Sequence, residues 1–242
     1  MEIYYGKPTP NSFSDILDQY SPKEINSIKT STIPFLNYWK NTQERMSTFL
    51  QVLDIESVSQ TLAFEYPTRS FGSNKASMTD LMIFCDNCRI AIEAKYTEVV
   101  HQYQTVREWY KGKSENRDRV INHWFSFLEP FVTTSLNVES VMDIPYQFIH
   151  RTASACANNE KNACVVYQIF YDKETEAKAF DFSDFLAVSV KLLKPRSTLC
   201  IYTVSIPIIP PLETVEIASI LQCLKKEDLY QYGEMKCLRL IP

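Results

Sequence analysis

The strongest constraint on this chain is the segment Asp80 to Tyr96, where two apolar runs, Leu81 to Cys85 and Cys88 to Ile92, flank the dipeptide Asp86-Asn87. Asp and Asn tolerate the positive φ that a two-residue turn needs, so the spacing predicts a tight β-hairpin. With those two residues in the turn, Cys85 pairs with Cys88, and the numbers of paired positions sum to 173. Asp80 then stands opposite Glu93. Side chains alternate along a strand, so Lys95 joins the two acids on one face. Leu81, Ile83, Cys85, Cys88, Ile90, Ile92 and Ala94 make the other face apolar. The apolar face is expected to pack on a helix around residues 35 to 52, leaving the charged face reactive.

Two carboxylates facing each other across a strand pair destabilise it by a few tenths to about 1 kcal/mol. A hard divalent cation reverses that sign, because Mg²⁺ binds through one or two carboxylates together with waters and substrate phosphate. Such an ion polarises a phosphate oxygen and acidifies a bound water, and the Lys95 ammonium can position that water or offset developing charge. These residue types suit phosphodiester hydrolysis, with Mg²⁺ the expected cofactor and Mn²⁺ its alternative.

Around the hairpin the pattern mixes helices and strands. Helical spacing runs over residues 12 to 28. It returns from about Pro34 to Val52, where Phe35, Trp39, Met46, Phe49, Leu50 and Leu53 recur at three- and four-residue steps. Residues 58 to 68 read as a strand, and Arg69 to Ser77 as a polar loop. Helices are expected over 98 to 112, over 114 to 129 with Ser114 as its cap, and over 145 to 158 with Pro145 in its first turn. A strand from Cys164 to Tyr171, a helix from Ser183 to about Leu193, a strand from Leu199 to Ile206 and a helix from Thr214 to Lys225 follow. The chain is long enough for one large core.

Several function classes drop out. Only four glycines occur, all isolated, which excludes a glycine-rich phosphate loop or a nucleophile elbow. Three scattered histidines do not make a His-rich zinc site. Seven cysteines, an odd number, fit a reducing cytoplasm better than a disulfide frame. The first residues lack a signal-peptide pattern, and the longest apolar stretch, Cys200 to Leu212, is broken by three prolines, so no membrane span is expected. A net charge of −4 leaves room for a local basic groove but not for attraction to nucleic acid by overall charge.

Asp80, twelve residues, then Glu93-Ala94-Lys95 resembles the D-x(n)-E-x-K signature of the PD-(D/E)XK nucleases, the restriction-endonuclease-like superfamily. Thr79 stands where that family often has proline. The resemblance implies an α/β fold with a restriction-endonuclease-like core, a central mixed β-sheet flanked by helices in αβββαβ order. That core would span about 35–171 of a single 1–242 domain, with a helical insertion at about 98–130 and a C-terminal extension at about 172–242. It implies that Asp80 and Glu93 hold the metal, that Lys95 assists the water, and that Glu65 is a further metal ligand. Gln147, His150 and Arg151, at helical spacing, would touch substrate, and Glu98 would be a supporting carboxylate. The implied partner is nucleic acid, DNA ahead of RNA, cut by a restriction or defence nuclease that is a homodimer when both strands are cleaved.

Plainer readings compete. The charged trio can be a salt-bridge ladder in a structural or regulatory α/β protein, and a member of the fold can bind nucleic acid or a protein without cutting. Cys85-x-x-Cys88 lacks the second half of a zinc site and reads as core cysteines. Glu98-x-x-His101 has no second copy to complete a di-iron motif. The basic stretch Arg107 to Arg119, near Trp109, reads equally as a phosphate contact or a solvated helix junction.

Overall fold

The computed structural model describes the chain apart from residues 7–10, 26, 98–102, 113, 159–160, 212–216, 227 and 241–242, and apart from the side chains of 217–219. It is an α/β protein built on a mixed sheet flanked by helices. Strand β1 (Glu2–Tyr5) is followed by helices α1 (Phe13–Leu17), α2 (Thr32–Trp39) and α3 (Thr42–Val52). Strands β2 (Gln60–Thr68), β3 (Ser77–Cys85) and β4 (Cys88–Lys95) come next, then helices α4 (Val106–Tyr110), α5 (Glu115–Leu128) and α6 (Tyr146–Cys156). Strand β5 (Asn162–Tyr171), helix α7 (Glu176–Leu193), strand β6 (Leu199–Ile209), helix α8 (Ile217–Lys226) and strands β7 (Gln231–Tyr232) and β8 (Lys236–Arg239) complete the chain. From α3 to β5 the order is helix, three strands, helix, strand, with α4 and α5 inserted before α6.

The sheet order is β1-β2-β3-β4-β5-β6-β7, with β8 also on β6. β2, β3 and β4 form an antiparallel meander, whereas β4, β5 and β6 run parallel. The turn falls at Asp86-Asn87, and the β3–β4 pairs Leu81↔Ile92, Met82↔Ala91 and Ile83↔Ile90 keep the sum of 173. Asp86 fixes the turn by accepting the amides of Val58 at 2.8 Å and Ser59 at 3.0 Å. The stretch after residue 172 is no appendage, because β6 extends the parallel half of the sheet directly beside β5.

Both faces of the sheet are covered. Leu81, Ile83, Ile90, Ile92 and Ala94 join Ile33, Phe35, Trp39 and Phe49 in one core, as the apolar hairpin face requires. Met82 and Ala91, on the opposite face, sit in a second core with Trp124, Phe125, Phe148 and Ile149 from α5 and α6. Burial on both sides explains why the hairpin strands are apolar at nearly every position. The charged hairpin face is therefore closed rather than open.

Several predicted helices have different bounds. The pattern over 12 to 28 yields only the five-residue α1, capped reciprocally by Ser12 and Asp15, followed by turns. The pattern over 34 to 52 is two helices, because Asn41 leaves helical geometry at φ −89° and ψ 54°, and Thr42 Oγ1 donates to the Trp39 carbonyl at 2.7 Å. α7 starts at Glu176, well before Ser183, whose hydroxyl donates back to the Ala179 carbonyl from inside the helix. The predicted helices over 98 to 112 and 214 to 225 begin outside the described residues, and α4 and α8 are the described parts. β1, β7 and β8, at two to four residues each, are too short for an alternation signal.

Candidate active site

Beyond Leu81 and Ile92 the β3–β4 ladder has no further paired residues, and the Asp80 carboxylate takes over as acceptor, receiving the Ala94 amide at 2.7 Å. Glu93, one residue past the last β4 partner, is buried, and both its oxygens are occupied. Oε1 accepts from Lys95 Nζ at 2.8 Å and from Gln147 Nε2 at 2.7 Å, while Oε2 accepts from Arg151 Nε. Gln147 and Arg151 lie four apart on α6, so one helical face delivers both to one carboxylate. Arg151 also donates from Nη1 to Ser77 Oγ at 2.8 Å, and that hydroxyl lies 2.9 Å from His150 Nδ1. His150 thus belongs to the network through Ser77 rather than through Glu93.

The charges divide sharply. Burial resists ionisation of Glu93, but Arg151 and Lys95 outweigh it and hold the carboxyl down at about 2. Asp80 has no such grip: burial, then Glu93, push its carboxyl up to about 7. Glu65, opposite Asp80 in the β2–β3 register, is pushed up to about 8 by burial, then by Asp80 and Glu24. Burial, with Arg151 beside it, drives His150 down to about 3, so its ring is neutral. Three neighbouring carboxyls thus face two cations, and the deficit lies on the Asp80–Glu65 side.

Glu65 is unusual in its backbone as well. Its φ of 47° is left-handed in mid-strand, which costs a non-glycine residue roughly 1 kcal/mol or more. The effect is visible on either side: Phe64 belongs to the α2–α3 core, whereas Tyr66, two residues on, packs into the α5–α6 core. Alternation breaks at Glu65. Sequence spacing carries no sign of this.

Sequence reasoning also missed Ser77, Tyr20 and Tyr167. Tyr167 is the β5 partner of Glu93, and among the described residues its buried hydroxyl has no hydrogen-bond partner; neither has the buried hydroxyl of Tyr20, whose ionisation burial, then Glu65 and Asp80, oppose. Glu98 lies outside the described residues. The basic stretch is locally paired: Arg107 meets Asp143 at 2.9 Å, Arg119 meets Glu115 one turn away, and Arg117 donates to the Lys111 carbonyl. Cys85 and Cys88 are buried, free thiols in the α2–α3 core.

Among the described residues, no three His, Cys, Asp or Glu side chains form a ready-made metal cage. The donor set nevertheless fits a hard divalent ion, since Mg²⁺ needs only one or two carboxylates and takes its other ligands from water and phosphate. Asp80 and Glu65, half-buried and both pushed up first by burial, Asp80 then by Glu93 and Glu65 then by Asp80, are the oxygens such an ion would relieve. Glu93 becomes a ligand only if Arg151 or Lys95 releases an oxygen. Among the described residues no helix is long and apolar enough to cross a membrane.

No curated protein and no solved structure matches the chain. Residues 10–202, which include every described site residue, match the family described as Domain of unknown function (DUF6946), and the chain belongs to that family.

Proposed function

We propose that the protein is a divalent-metal-dependent nuclease with a restriction-endonuclease-like core, hydrolysing phosphodiester bonds in DNA ahead of RNA. The observation that carries this reading is the convergence of Asp80, Glu93 and Lys95 at one end of β3 and β4, with Gln147 and Arg151 of α6 on the same carboxylate. Asp80, with Glu65 and Glu93, would hold Mg²⁺ or Mn²⁺. When bound, the ion supplies Lewis-acid polarisation of the phosphate and an acidified water.

The chain's own residues do the remaining work. Lys95, kept protonated by Glu93 against the opposing effect of burial, orients the attacking water and offsets charge on the phosphate oxygens. Arg151 carries a planar fork suited to phosphate, so an incoming phosphodiester offers it a second anion and frees Glu93 in exchange. His150, neutral, fixes the Ser77 hydroxyl that supports Arg151. A role in restriction or defence, and a homodimer for cutting both strands, belong to the same proposal.

The fully satisfied state of Glu93 favours a second reading, a non-catalytic member of the fold whose ion cluster is structural. Incubation with plasmid, linear and single-stranded DNA and with RNA, in Mg²⁺, Mn²⁺ or chelator, separates the two. The nuclease reading expects metal-dependent cleavage that falls by about 10²-fold or more in Asp80→Asn and Lys95→Ala. Absence of cleavage with nucleic-acid binding retained would establish the non-catalytic reading.

A further inference from the structure

The outer side of α5 carries a row of rings. Phe71, in the β2–β3 loop, is 71% exposed, its ring lies 6.3 Å from that of His123, and His123 lies 4.5 Å from Phe127. The loop is pinned. The Phe71 amide donates to His123 Nδ1 at 2.9 Å, and Ser70 Oγ donates to the Val120 carbonyl at 3.0 Å. Gly72, at φ +91°, sits so near α5 that an added Cβ would come within 3.0 Å of Arg119 Cβ. A large apolar ring is thus held out in water by fixed contacts on a loop that could otherwise fold it inward.

Cations flank the row. Arg69 and Lys75 are exposed, and neither has an acidic partner among the described residues. At the other end Phe127 borders a cleft of about 640 Å³ whose lining includes no acid and includes Arg89, which keeps its full charge while donating to the Ala157 and Asn158 carbonyls. The loop leads to the candidate site, since Ser77 at its base is bonded to Arg151 and lies three strand residues, roughly 10 Å, from Asp80.

We propose that this strip binds a single-stranded segment of nucleic acid, its bases stacked on Phe71, His123 and Phe127 and its phosphates toward Arg69, Lys75 and Arg89. Every base presents a π face, so stacking on a series of rings within a positive surface holds a strand without regard to sequence. A duplex hides those faces. An acidic peptide would satisfy the cations but brings no succession of planar groups. The inference rests on the nuclease reading and specifies its substrate as a strand with unpaired bases, in place of the intact duplex that a homodimer would cut on both strands.

The test is fluorescence anisotropy of labelled oligo-dT, of an RNA oligomer and of a blunt DNA duplex, all in chelator so that nothing is cut. The strip predicts that Phe71→Ala weakens binding of oligo-dT, of the RNA, or of both, by about tenfold and changes duplex binding by less than about twofold. The variant's melting temperature stays that of the wild type, because the ring is exposed. Arg69→Gln with Lys75→Gln flattens the logarithmic salt dependence by about 1.4. Equal losses on single strand and duplex, no loss, or no single-strand binding by the wild type would overturn the strip. Cleavage in Mg²⁺ is a separate readout: a protein that binds through Phe71 yet cuts nothing sinks the nuclease alone, and one that cuts but ignores Phe71→Ala sinks the strip alone.

Discussion

The two sides of the acidic cluster obey opposite rules although they share one strand pair. On the α6 side, Glu93 is more buried than either neighbouring acid, yet it ionises readily, because Arg151, Lys95 and Gln147 supply charge and hydrogen bonds. On the β2 side, Asp80 and Glu65 are less exposed to cations and reluctant to ionise, because burial and then neighbouring carboxyls oppose their charge, while among the described residues one backbone amide, that of Ala94, reaches Asp80. Burial alone therefore does not set the charge state; the supply of partners does. A fold that compensates one carboxylate completely and leaves two adjacent ones short has a place for a cation, and the shortfall shows where.

Removing the compensation gives the largest effect. Arg151→Ala leaves Glu93 buried with only Lys95 opposite it, and urea denaturation should show a loss of about 3–5 kcal/mol. Replacing all three charged members by apolar residues, as Glu93→Leu with Lys95→Met and Arg151→Met, should cost markedly less, because no charge is left stranded. A triple variant as unstable as the single one would mean that the ion cluster itself, not the stranded charge, carries the stability.

The β2 side responds to pH in the opposite sense. Asp80 ionises at about 7 in the folded chain against an ordinary value near 4, so the folded state binds the extra proton. Its favourable contribution is complete below pH 4 and is lost as pH rises through 7. Glu93, depressed to about 2, contributes stability above its ordinary value near 4.5 and loses it as pH falls toward 2. The metal-free protein should thus melt several degrees lower at pH 8 than at pH 6, with Glu65, raised to about 8, adding to the slope, and Asp80→Asn combined with Glu65→Gln should remove most of it. An unchanged slope in that double variant would place the titrating groups elsewhere.

The smallest effect comes from the backbone. Asn tolerates the left-handed region better than Glu and carries no charge, so Glu65→Asn should raise stability by roughly 1 kcal/mol, whereas Glu65→Val should lower it. Equal stability in both variants would show that neither strain nor charge at Glu65 matters to the fold.

Much of this geometry could be read from the chain. The Asp86-Asn87 turn, the register summing to 173 and the apolar face of the hairpin follow from local spacing. So does the shared helical face of Gln147 and Arg151, although the sequence points both at substrate and both bond the Glu93 carboxylate. Spacing says nothing about what covers a face. The second core under α5 and α6, which closes the charged side, gathers residues far apart in sequence, such as Ala91 and Phe148. The break in α2–α3 at Asn41, the left-handed Glu65 and the role of Ser77 are tertiary overrides of the same kind.

The most direct measurement is calorimetric titration of Mn²⁺ into the wild type and into Asp80→Asn near pH 7, repeated in buffers of different ionisation enthalpy. The charge deficit predicts one bound ion per chain, accompanied by proton release as Asp80 and Glu65 give up shared protons, and loss of that site in Asp80→Asn. Binding that survives Asp80→Asn unchanged, or no binding at all, would contradict a cation site between these carboxyls.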